Sequence, residues 1–445
     1  MPFSGKDSFF GQKGHHFLRT VTRGGQALIL PADKSCLYLG LKPEKLMENK
    51  MEPLEISKGV YNVGVTDWNI RDFHGYSTDI GTTYNAFLIV DEKIALVDTV
   101  REGFAGQLLE NISSIVDPKS IDYVISNHTE MDHSGGLARV MHRIGEDKPI
   151  YCSKMGSKNL PKHFSPKWDY QPVGTGDELS LGSRKLTFLE TRMIHWPDSM
   201  FTYLNENQIL FSSDGFGQHY AGPEKFDDQI DEPTIMNHAK KYFANILLLY
   251  SAHIQKLLDK VLGLGLEFKM ICPDHGIIWR KDPGKIVDAY VRWCRQEPEK
   301  KAVVVYDTMW HSTEQMAHAI VSGISREGVP AKPLHLRKTH RSEIMTDVFD
   351  ARAVVVGSPT LNNQLYPSLA DFLTYMKGLK PLNKIGAAFG SYGWSGEAVK
   401  MINQELEAMN FEIIDPGLKV QYVPDKEALE SAYELGRRIG KAVAG

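Results

Sequence analysis

A short polar run after a strand-like segment constrains the fold of this chain more than any other feature. The apolar residues 123–125 are followed almost at once by the pattern H-x-E-x-D-H, whose members are His128, Glu130, Asp132 and His133. Ligands at the C-terminal end of a strand project from a rigid element into one cavity. The run therefore predicts a metal site rather than a solvated charged loop.

Composition limits the kinds of protein that can carry this site. A chain of 445 residues exceeds what one hydrophobic core supports, so two domains are expected. With 24% charged residues and a net charge of -4, the chain has no electrostatic footprint for nucleic acid. Its apolar runs are too short for a membrane span or a signal peptide, and its four cysteines form no C-x-x-C pair. These features predict a cytoplasmic protein without nucleic-acid or membrane partners.

The chain divides into three parts by pattern. Residues 1–50 show weak periodicity and form an N-terminal extension of unknown role. Residues 51–298 are β-rich with interleaved helices, including hairpins that turn at residues 91–93 and 205–207 and a helical stretch over 234–262. Residues 299–445 alternate strands near 302–306, 353–356 and 384–389 with helices from 313, 367 and 396, which predicts a doubly wound parallel sheet.

The H-x-E-x-D-H run resembles the ligand motif of flavodiiron proteins, a branch of the metallo-β-lactamase superfamily. The family pattern continues with a histidine, an aspartate and a histidine, and His195, Asp214 and His275 stand at the matching positions. The resemblance implies an α/β protein with an N-terminal metallo-β-lactamase-like αββα sandwich and a flavodoxin-like doubly wound parallel sheet. It also implies that one iron is bound by His128, Glu130 and His195, the other by Asp132, His133 and His275, and that Asp214 bridges them.

The metal is expected to be iron rather than zinc. Four imidazoles and three carboxylates without sulfur suit a hard divalent pair. Zinc hydrolases of the superfamily usually have H-x-H-x-D-H, whereas Glu130 adds an anionic oxygen that stabilises higher iron oxidation states. Redox chemistry is thus favoured over hydrolysis. Two alternatives stay open, namely a zinc hydrolase fused to a flavin domain, and an electron carrier whose metal site is vestigial.

Three loops that follow strands of the C-terminal domain indicate a flavin site. Residues 307–314 open a helix, whose N-terminal N–H groups and hydroxyls suit a phosphate, and the segment is similar to the FMN-phosphate loop of flavodoxins. Trp310 and His311 replace the usual Thr and Gly there. Loops 357–363 and 390–396 lie at the same sheet edge, where ligands of such sheets bind. The predicted FMN contacts are Thr308, Met309, Trp310, His311, Ser312, Thr313, Pro359, Thr360, Leu361, Asn362, Ser391, Tyr392, Gly393 and Trp394.

Together the two sites predict an FMN- and diiron-dependent reductase. The resemblance implies reduction of dioxygen to water, or of nitric oxide to nitrous oxide, in a head-to-tail homodimer. No cysteine pair follows the FMN domain, so an external donor is expected, either rubredoxin or reduced deazaflavin. The resemblance places His74 in the substrate pocket, with a surface or core role as the alternative. His219, His238 and His253 lack motif context and are interpreted as structural.

Overall fold

A computed structural model describes residues 21–23, 26–28, 53–263 and 265–445. Strands β1 (Val21–Arg23) and β2 (Gln26–Leu28) pair antiparallel. The rest of the predicted extension, residues 1–50, lies outside the described residues. Residues 53–445 form one compact unit. Among the helices that the structure describes, none combines the length and apolarity needed to cross a bilayer.

The first half of this unit contains sixteen strands and seven α-helices. Its strands are β3 (Leu54–Ser57), β4 (Val60–Asn62), β5 (Val65–Asp67), β6 (Asp72–Phe73), β7 (Tyr76–Ser77), β8 (Thr82–Tyr84), β9 (Phe87–Val90), β10 (Ile94–Val97), β11 (Ile121–Ser126), β12 (Ile150–Ser153), β13 (Tyr170–Val173), β14 (Glu178–Ser180), β15 (Lys185–Glu190), β16 (Met200–Leu204), β17 (Ile209–Phe211) and β18 (Met270–Cys272). Its helices are α1 (Ala105–Ser113), α2 (Met131–Ser134), α3 (Leu137–Ile144), α4 (Gly156–His163), α5 (Glu232–Tyr242), α6 (Ser251–Gly263) and α7 (Pro283–Cys294).

These elements build a four-layer sandwich. One sheet has the order β13-β12-β11-β10-β9-β4-β3 and the other the order β14-β15-β16-β17-β18. Alternate residues of β10 face opposite ways, so Val97 packs with Phe188 and Phe211 of the second sheet, whereas Leu96 packs beneath α1 and α3. The outer face of the second sheet is covered by α5, α6 and α7. The predicted αββα sandwich is confirmed.

The local predictions for this half need one correction. Both hairpins form, since β9 pairs antiparallel with β10 and β16 with β17. The helix expected over 234–262 is interrupted, because a π-helical turn (Phe243–Leu247) and a 3₁₀ turn (Leu248–Tyr250) separate α5 from α6. In the π turn the side chain of Asn245 donates to the carbonyl oxygen of Ser342, 3.1 Å away. The break therefore serves a long-range contact that local periodicity does not encode.

The second half is a doubly wound sheet, as predicted. Every strand pair in it is parallel, and its order is β20-β19-β21-β22-β23, with β24 also paired to β22. Helices cover both faces, for example through Ile320 and Leu435 on one and Phe372 on the other. Its strands are β19 (Glu299–Tyr306), β20 (Ala331–His335), β21 (Ala351–Pro359), β22 (Ile385–Tyr392), β23 (Glu412–Ile413) and β24 (Leu418–Gln421), and its helices α8 (Ser312–Arg326), α9 (Arg341–Asp350), α10 (Pro367–Leu379), α11 (Ala398–Ala408) and α12 (Lys426–Ala444).

Sequence patterns did not predict β20 or α9. Strand β20 is an edge strand that contains Pro333 and buries little, so it lacks the apolar run of a central strand. Helix α9 packs both on its own sheet and against the π turn, where the rings of Phe349 and Phe243 lie 5.7 Å apart. Its apolar residues therefore face more than one neighbour, so they do not recur at the spacing of a single helix face.

One hydrophobic cluster joins the two halves. A single cluster of buried side chains runs from Leu210 of the second sheet through α7 to Val354 of the parallel sheet. Helix α7 connects the two halves, and Tyr290 on it packs against Phe216 at 4.6 Å between ring centroids. The connection is thus part of the core, and the halves do not move apart without exposing apolar surface.

Candidate metal centre and flavin site

The predicted ligands gather at the end of strand β11. Behind this strand end, Asp98 accepts hydrogen bonds from the backbone N–H and the side-chain amide of Asn127, each at 2.7 Å. These bonds fix the chain as it leaves the sheet. His128 then enters the site from the loop, and the short helix α2 presents Asp132 and His133. All three of these side chains are buried.

The seven side chains form two adjoining groups around Asp214. Oδ2 of Asp214 lies 3.4 Å from Nε2 of His128 and 3.3 Å from Nε2 of His195. Oδ1 of the same carboxylate lies 3.3 Å from Nε2 of His133 and 3.6 Å from Nε2 of His275. One group is completed by Glu130 and the other by Asp132, and within each group the ligand atoms lie within 4.8 Å of one another. Asp214 thus has the geometry of a bridging ligand.

The electrostatics of the site fit divalent cations. Although burial lowers it, hydrogen bonds to Asp198 and Glu130 raise the pKa of His128 to about 10. Burial lowers the pKa of His195 as well, but hydrogen bonds to Asp214 and Glu130 outweigh this effect and raise the pKa to about 9. Among the described residues, Oδ1 of Asp132, Oδ2 of Asp214 and Nε2 of His133 are buried without a hydrogen-bond partner. Two bound cations would take the place of the protons on these imidazoles and would be coordinated by the atoms that lack a hydrogen-bond partner.

A second layer of polar groups orients the imidazoles. Nδ1 of His128 lies 3.2 Å from Oδ2 of Asp198, and Nδ1 of His133 lies 3.4 Å from Oδ2 of Asp274. Nδ1 of His275 is 2.7 Å from the carbonyl oxygen of Thr83, and the hydroxyl of Tyr242 donates to Oδ1 of Asp214 at 2.8 Å. Such contacts fix which ring nitrogen faces a metal. Sequence reasoning missed these residues, although two of them are close in sequence to predicted ligands.

Replacing Asp198 with asparagine is expected to weaken metal binding by about 10–100-fold, the usual cost of losing an outer carboxylate. The amide can still accept the 2.8 Å bond from the N–H of Thr129, but it no longer stabilises the ring of His128 by charge. Competition with a chelator, followed by metal analysis, measures the effect. Asp147→Asn, at an exposed turn position, is the control. Equal metal retention in both variants would show that Asp198 does not orient the ligand.

The other histidines fall into different places. His74 is 77% exposed and its Nε2 lies 3.7 Å from Oε1 of Glu130, which puts it at the mouth of the site rather than in the core. His219 is buried, and its ring packs 4.7 Å from that of His275. His238 packs against Tyr220, and His253 is exposed on α6. None of these last three belongs to the two ligand groups.

A cavity of about 490 Å³ lies at the C-terminal ends of β19, β21 and β22, where the sequence predicts flavin. Its volume is that of a small-ligand site. Three predicted contacts, Thr308, His311 and Thr313, do not line it. The predicted residues that do are Met309, Trp310, Ser312, Pro359, Thr360, Leu361, Asn362, Ser391, Tyr392, Gly393 and Trp394, and the additional ones are Asn363, Ser395, Tyr422 and Val423.

The segment predicted to bind the phosphate contains these three residues. Oγ1 of Thr313 lies 2.9 Å from Oγ of Ser391, so this side chain links two of the predicted flavin loops. His311 adopts the left-handed conformation, with φ of 66°, at the position where flavodoxins usually have glycine. The hydroxyl of Thr308 is buried and has no hydrogen-bond partner among the described residues. Together with Ser312 at the N-terminus of α8, it suits a phosphate monoester.

Below this segment, Asp307 holds the loop. It is fully buried at the end of β19 and accepts hydrogen bonds from the N–H of Thr308 at 2.6 Å and from Nε of Arg337 at 2.8 Å. Above it, Trp310 and Trp394 flank the cavity and are 85% and 84% exposed. Flat aromatic rings at a cavity mouth suit stacking against a planar ligand, and their exposure suits an interface.

Comparisons with known proteins agree with the fold and with the two sites described above. Residues 82–276 match a family described as ODP family beta lactamase, and residues 304–436 match flavodoxin. A nitric oxide reductase of Moorella thermoacetica is 48% identical over 397 residues, 88% of this chain and 99% of that protein. The structure of rubredoxin oxygen:oxidoreductase from Desulfovibrio gigas aligns with a TM-score of 0.86 and 42% identity over 88% of this chain and 99% of that one. A flavodiiron protein from Giardia intestinalis aligns with a TM-score of 0.85 and 36% identity, over 88% and 97%.

Proposed function

This chain belongs to the flavodiiron protein family and is an oxidoreductase that uses flavin and iron, and from this premise we propose that it reduces dioxygen to water or nitric oxide to nitrous oxide. The observation that carries the proposal is the carboxylate of Asp214, whose two oxygens face two separate groups of buried and half-buried ligands. The cavity suited to a flavin gives each chain a place for the group that would deliver electrons. A hydrolase needs no such cavity, so reductase chemistry is favoured.

For the cofactors we propose two irons and one FMN per chain. The cavity suits FMN because the N-terminus of α8 accommodates a single phosphate, whereas the exposed tryptophans offer faces for the ring. When bound, the irons supply reversible redox chemistry with open coordination positions, and FMN supplies electrons one or two at a time. The proposed ligands are His128, Glu130 and His195 for one iron, Asp132, His133 and His275 for the other, and Asp214 for both.

The protein's own residues shape the space in which a diatomic gas reacts. Reduction of dioxygen to two waters consumes four electrons and four protons, so protons must reach the site and water must leave it. The ring of Phe73 lies edge-on to that of His275, at 6.0 Å between centroids, and covers this ligand. His74 lies beside Glu130 at the mouth, where its Nε2 can hydrogen-bond to a molecule that enters.

We further propose a head-to-tail homodimer in which the FMN of one subunit faces the irons of the other. Each end of this arrangement offers exposed apolar side chains. Trp68, Ile80 and Met131 are exposed in the half that carries the metal site, and Trp310 and Trp394 flank the flavin cavity. Large exposed apolar surfaces of this kind mark protein interfaces. The division into domains at residues 51–298 and 299–445 is part of the same proposal.

An external donor completes the proposed electron path. A rubredoxin is the first candidate, because the similar protein from Megalodesulfovibrio gigas is named rubredoxin-oxygen oxidoreductase. Reduced deazaflavin is the alternative. Turnover with reduced rubredoxin as sole donor, compared with turnover with reduced deazaflavin, separates the two.

Anaerobic stopped-flow on the fully reduced protein, mixed separately with dioxygen and with nitric oxide, tests the proposed activity. We expect reoxidation of flavin and metal within one rapid phase, in samples that contain two irons and one FMN per chain. The relative rates rank the two gases. Zinc in place of iron, with a metal centre inert to both gases, would overturn the proposal in favour of a hydrolase.

A further inference from the structure

A buried lysine has no role in the site as described so far. Lys241 on α5 is only 5% exposed. Its Nζ donates to the carbonyl oxygen of Ser77 at 2.8 Å and to the hydroxyl of Ser77 at 2.9 Å, and it forms a close ion pair with Glu343. Burying an ammonium group is costly unless it is paired and fully hydrogen-bonded, so the contacts of Lys241 define a specific arrangement.

The partners of Lys241 come from both halves of the chain. Ser77 lies on strand β7 of the metal-binding half, whereas Ser342 and Glu343 begin helix α9 of the parallel-sheet half. The N–H of Ser77 donates to Oγ of Ser342 at 3.1 Å, and the two hydroxyl oxygens are 3.0 Å apart. The hydroxyl of Ser77 also lies 3.0 Å from Oε1 of Glu343. We call Ser77, Lys241, Ser342 and Glu343 the interdomain clasp.

Neighbouring contacts hold the same segment from other sides. Nε of Arg341 lies 3.3 Å from the carbonyl oxygen of Gly75, and Nζ of Lys241 lies 4.9 Å from the centre of the Tyr76 ring. The π turn supports the clasp, because Asn245 donates to the carbonyl oxygen of Ser342 and accepts from the hydroxyl of Tyr375 at 2.8 Å. Residues 75–77 are thus held in place mainly by groups outside strands β6 and β7.

This segment belongs to the ribbon that covers the metal site. Among the described strands, β6 and β7 pair only with each other. Phe73 ends β6, and its ring lies 5.0 Å from that of His219. His74, in the turn between the strands, lies beside Glu130. A two-stranded ribbon of this length is not stable alone, so its position depends on what holds it.

We propose that the interdomain clasp, with Lys241 as its central positioning residue, holds the β6–β7 ribbon over the metal centre. The shape of the substrate entrance then depends on the contact between the two halves of the chain. That the entrance admits a diatomic gas rests on the function proposed above. The positioning itself does not, because it concerns only contacts among the chain's own residues.

Adjacent lysines on α5 provide a matched test. Lys241→Met removes the central cation of the clasp, whereas Lys240→Met removes a different contact between the halves, the 2.8 Å pair with Asp350. Hydrogen exchange is measured on the intact protein with its metal and flavin contents determined. Amides of residues 72–79 are expected to exchange at least about 10-fold faster in Lys241→Met, since local opening follows the loss of local contacts. Lys240→Met is expected to leave their exchange unchanged.

Steady-state kinetics give a second readout that a purely stabilising pair would not move. We expect Lys241→Met to alter KM for the gas, while the rate of flavin reduction by the donor stays at the wild-type value. Lys241→Arg keeps the charge and is expected to restore part of the protection from exchange. Ser342→Ala removes the two neutral contacts between its hydroxyl and Ser77 and serves if Lys241→Met fails to fold.

Two outcomes would overturn the proposal. One is exchange at residues 72–79 that is equally slow in Lys241→Met and Lys240→Met. The other is acceleration spread evenly over the whole chain, which would make the clasp a general stabilising contact. Absence of gas reduction in the unaltered protein would defeat the proposed function instead, and the exchange comparison would still decide the role of Lys241.

Discussion

Replacing Glu130 with alanine is expected to lower gas reduction by more than about 100-fold, because a direct ligand should cost more than the roughly 10–100-fold lost with an outer partner. Oε2 of Glu130 lies 3.1 Å from Nε2 of His195 and 3.3 Å from Nε2 of His128. Its loss removes the carboxylate that completes one ligand group. The flavin cavity is formed by other loops, so FMN should remain bound. Iron analysis, flavin absorbance and rates of oxygen and nitric oxide consumption on one sample test this.

Two further variants sharpen the result. Glu146→Ala removes an exposed carboxylate outside both ligand groups and should leave iron content and turnover unchanged. Glu130→His creates the H-x-H-x-D-H pattern of the zinc hydrolases, and we expect it to retain metal but shift the preference from iron to zinc. Normal gas reduction by Glu130→Ala with both irons bound would refute the assignment of Glu130 as a ligand.

Much of the metal site could be predicted because its chemistry depends on residue type. Imidazoles and carboxylates at a strand end, such as His128 and Glu130, indicate metal binding whatever fold the rest of the chain adopts. The structure brings all seven predicted side chains together. The same holds for the sheet edge that carries the flavin loops, since parallel strands end on one side and ligands bind there.

What sequence patterns missed depends on contacts between distant residues. The hydrogen bond from Tyr242 to Asp214 joins a helix to a loop, and the clasp joins Ser77 to Ser342, 265 positions away. The hydroxyl of Thr313, a predicted FMN contact, lies 2.9 Å from that of Ser391, 78 positions away. Such pairs are set by packing, and no local period or motif marks them.

The shared core gives these contacts a common consequence. Helix α5 ends with Lys241, which holds the ribbon over the metal site, and Tyr242, which bonds to the bridging carboxylate. The π turn that follows packs against α9 of the parallel sheet. One short stretch of chain therefore contacts the entrance, the metal ligands and the flavin-binding half. A change in the packing between the two halves should therefore alter the surroundings of the metal centre through this stretch.

The proposed exchange of electrons between subunits predicts complementation between two inactive variants. Glu130→Ala disables the metal site, and Ser312→Glu places a carboxylate where the FMN phosphate is expected to bind at the N-terminus of α8. A heterodimer with one of each chain contains one intact flavin facing one intact metal site if the subunits are head-to-tail. Co-expressed with different affinity tags and purified as the mixed dimer, it should recover about half of the wild-type rate.

A second heterodimer supplies the control, because it carries both substitutions on one chain instead of one on each chain. A wild-type chain paired with a chain bearing both Glu130→Ala and Ser312→Glu has its intact flavin facing a disabled metal site and its intact metal site facing an empty flavin cavity. This dimer is expected to be inactive if electrons cross between subunits. Transfer within one subunit would reverse both results, leaving the first heterodimer inactive and the second about half active, since each chain would then work alone.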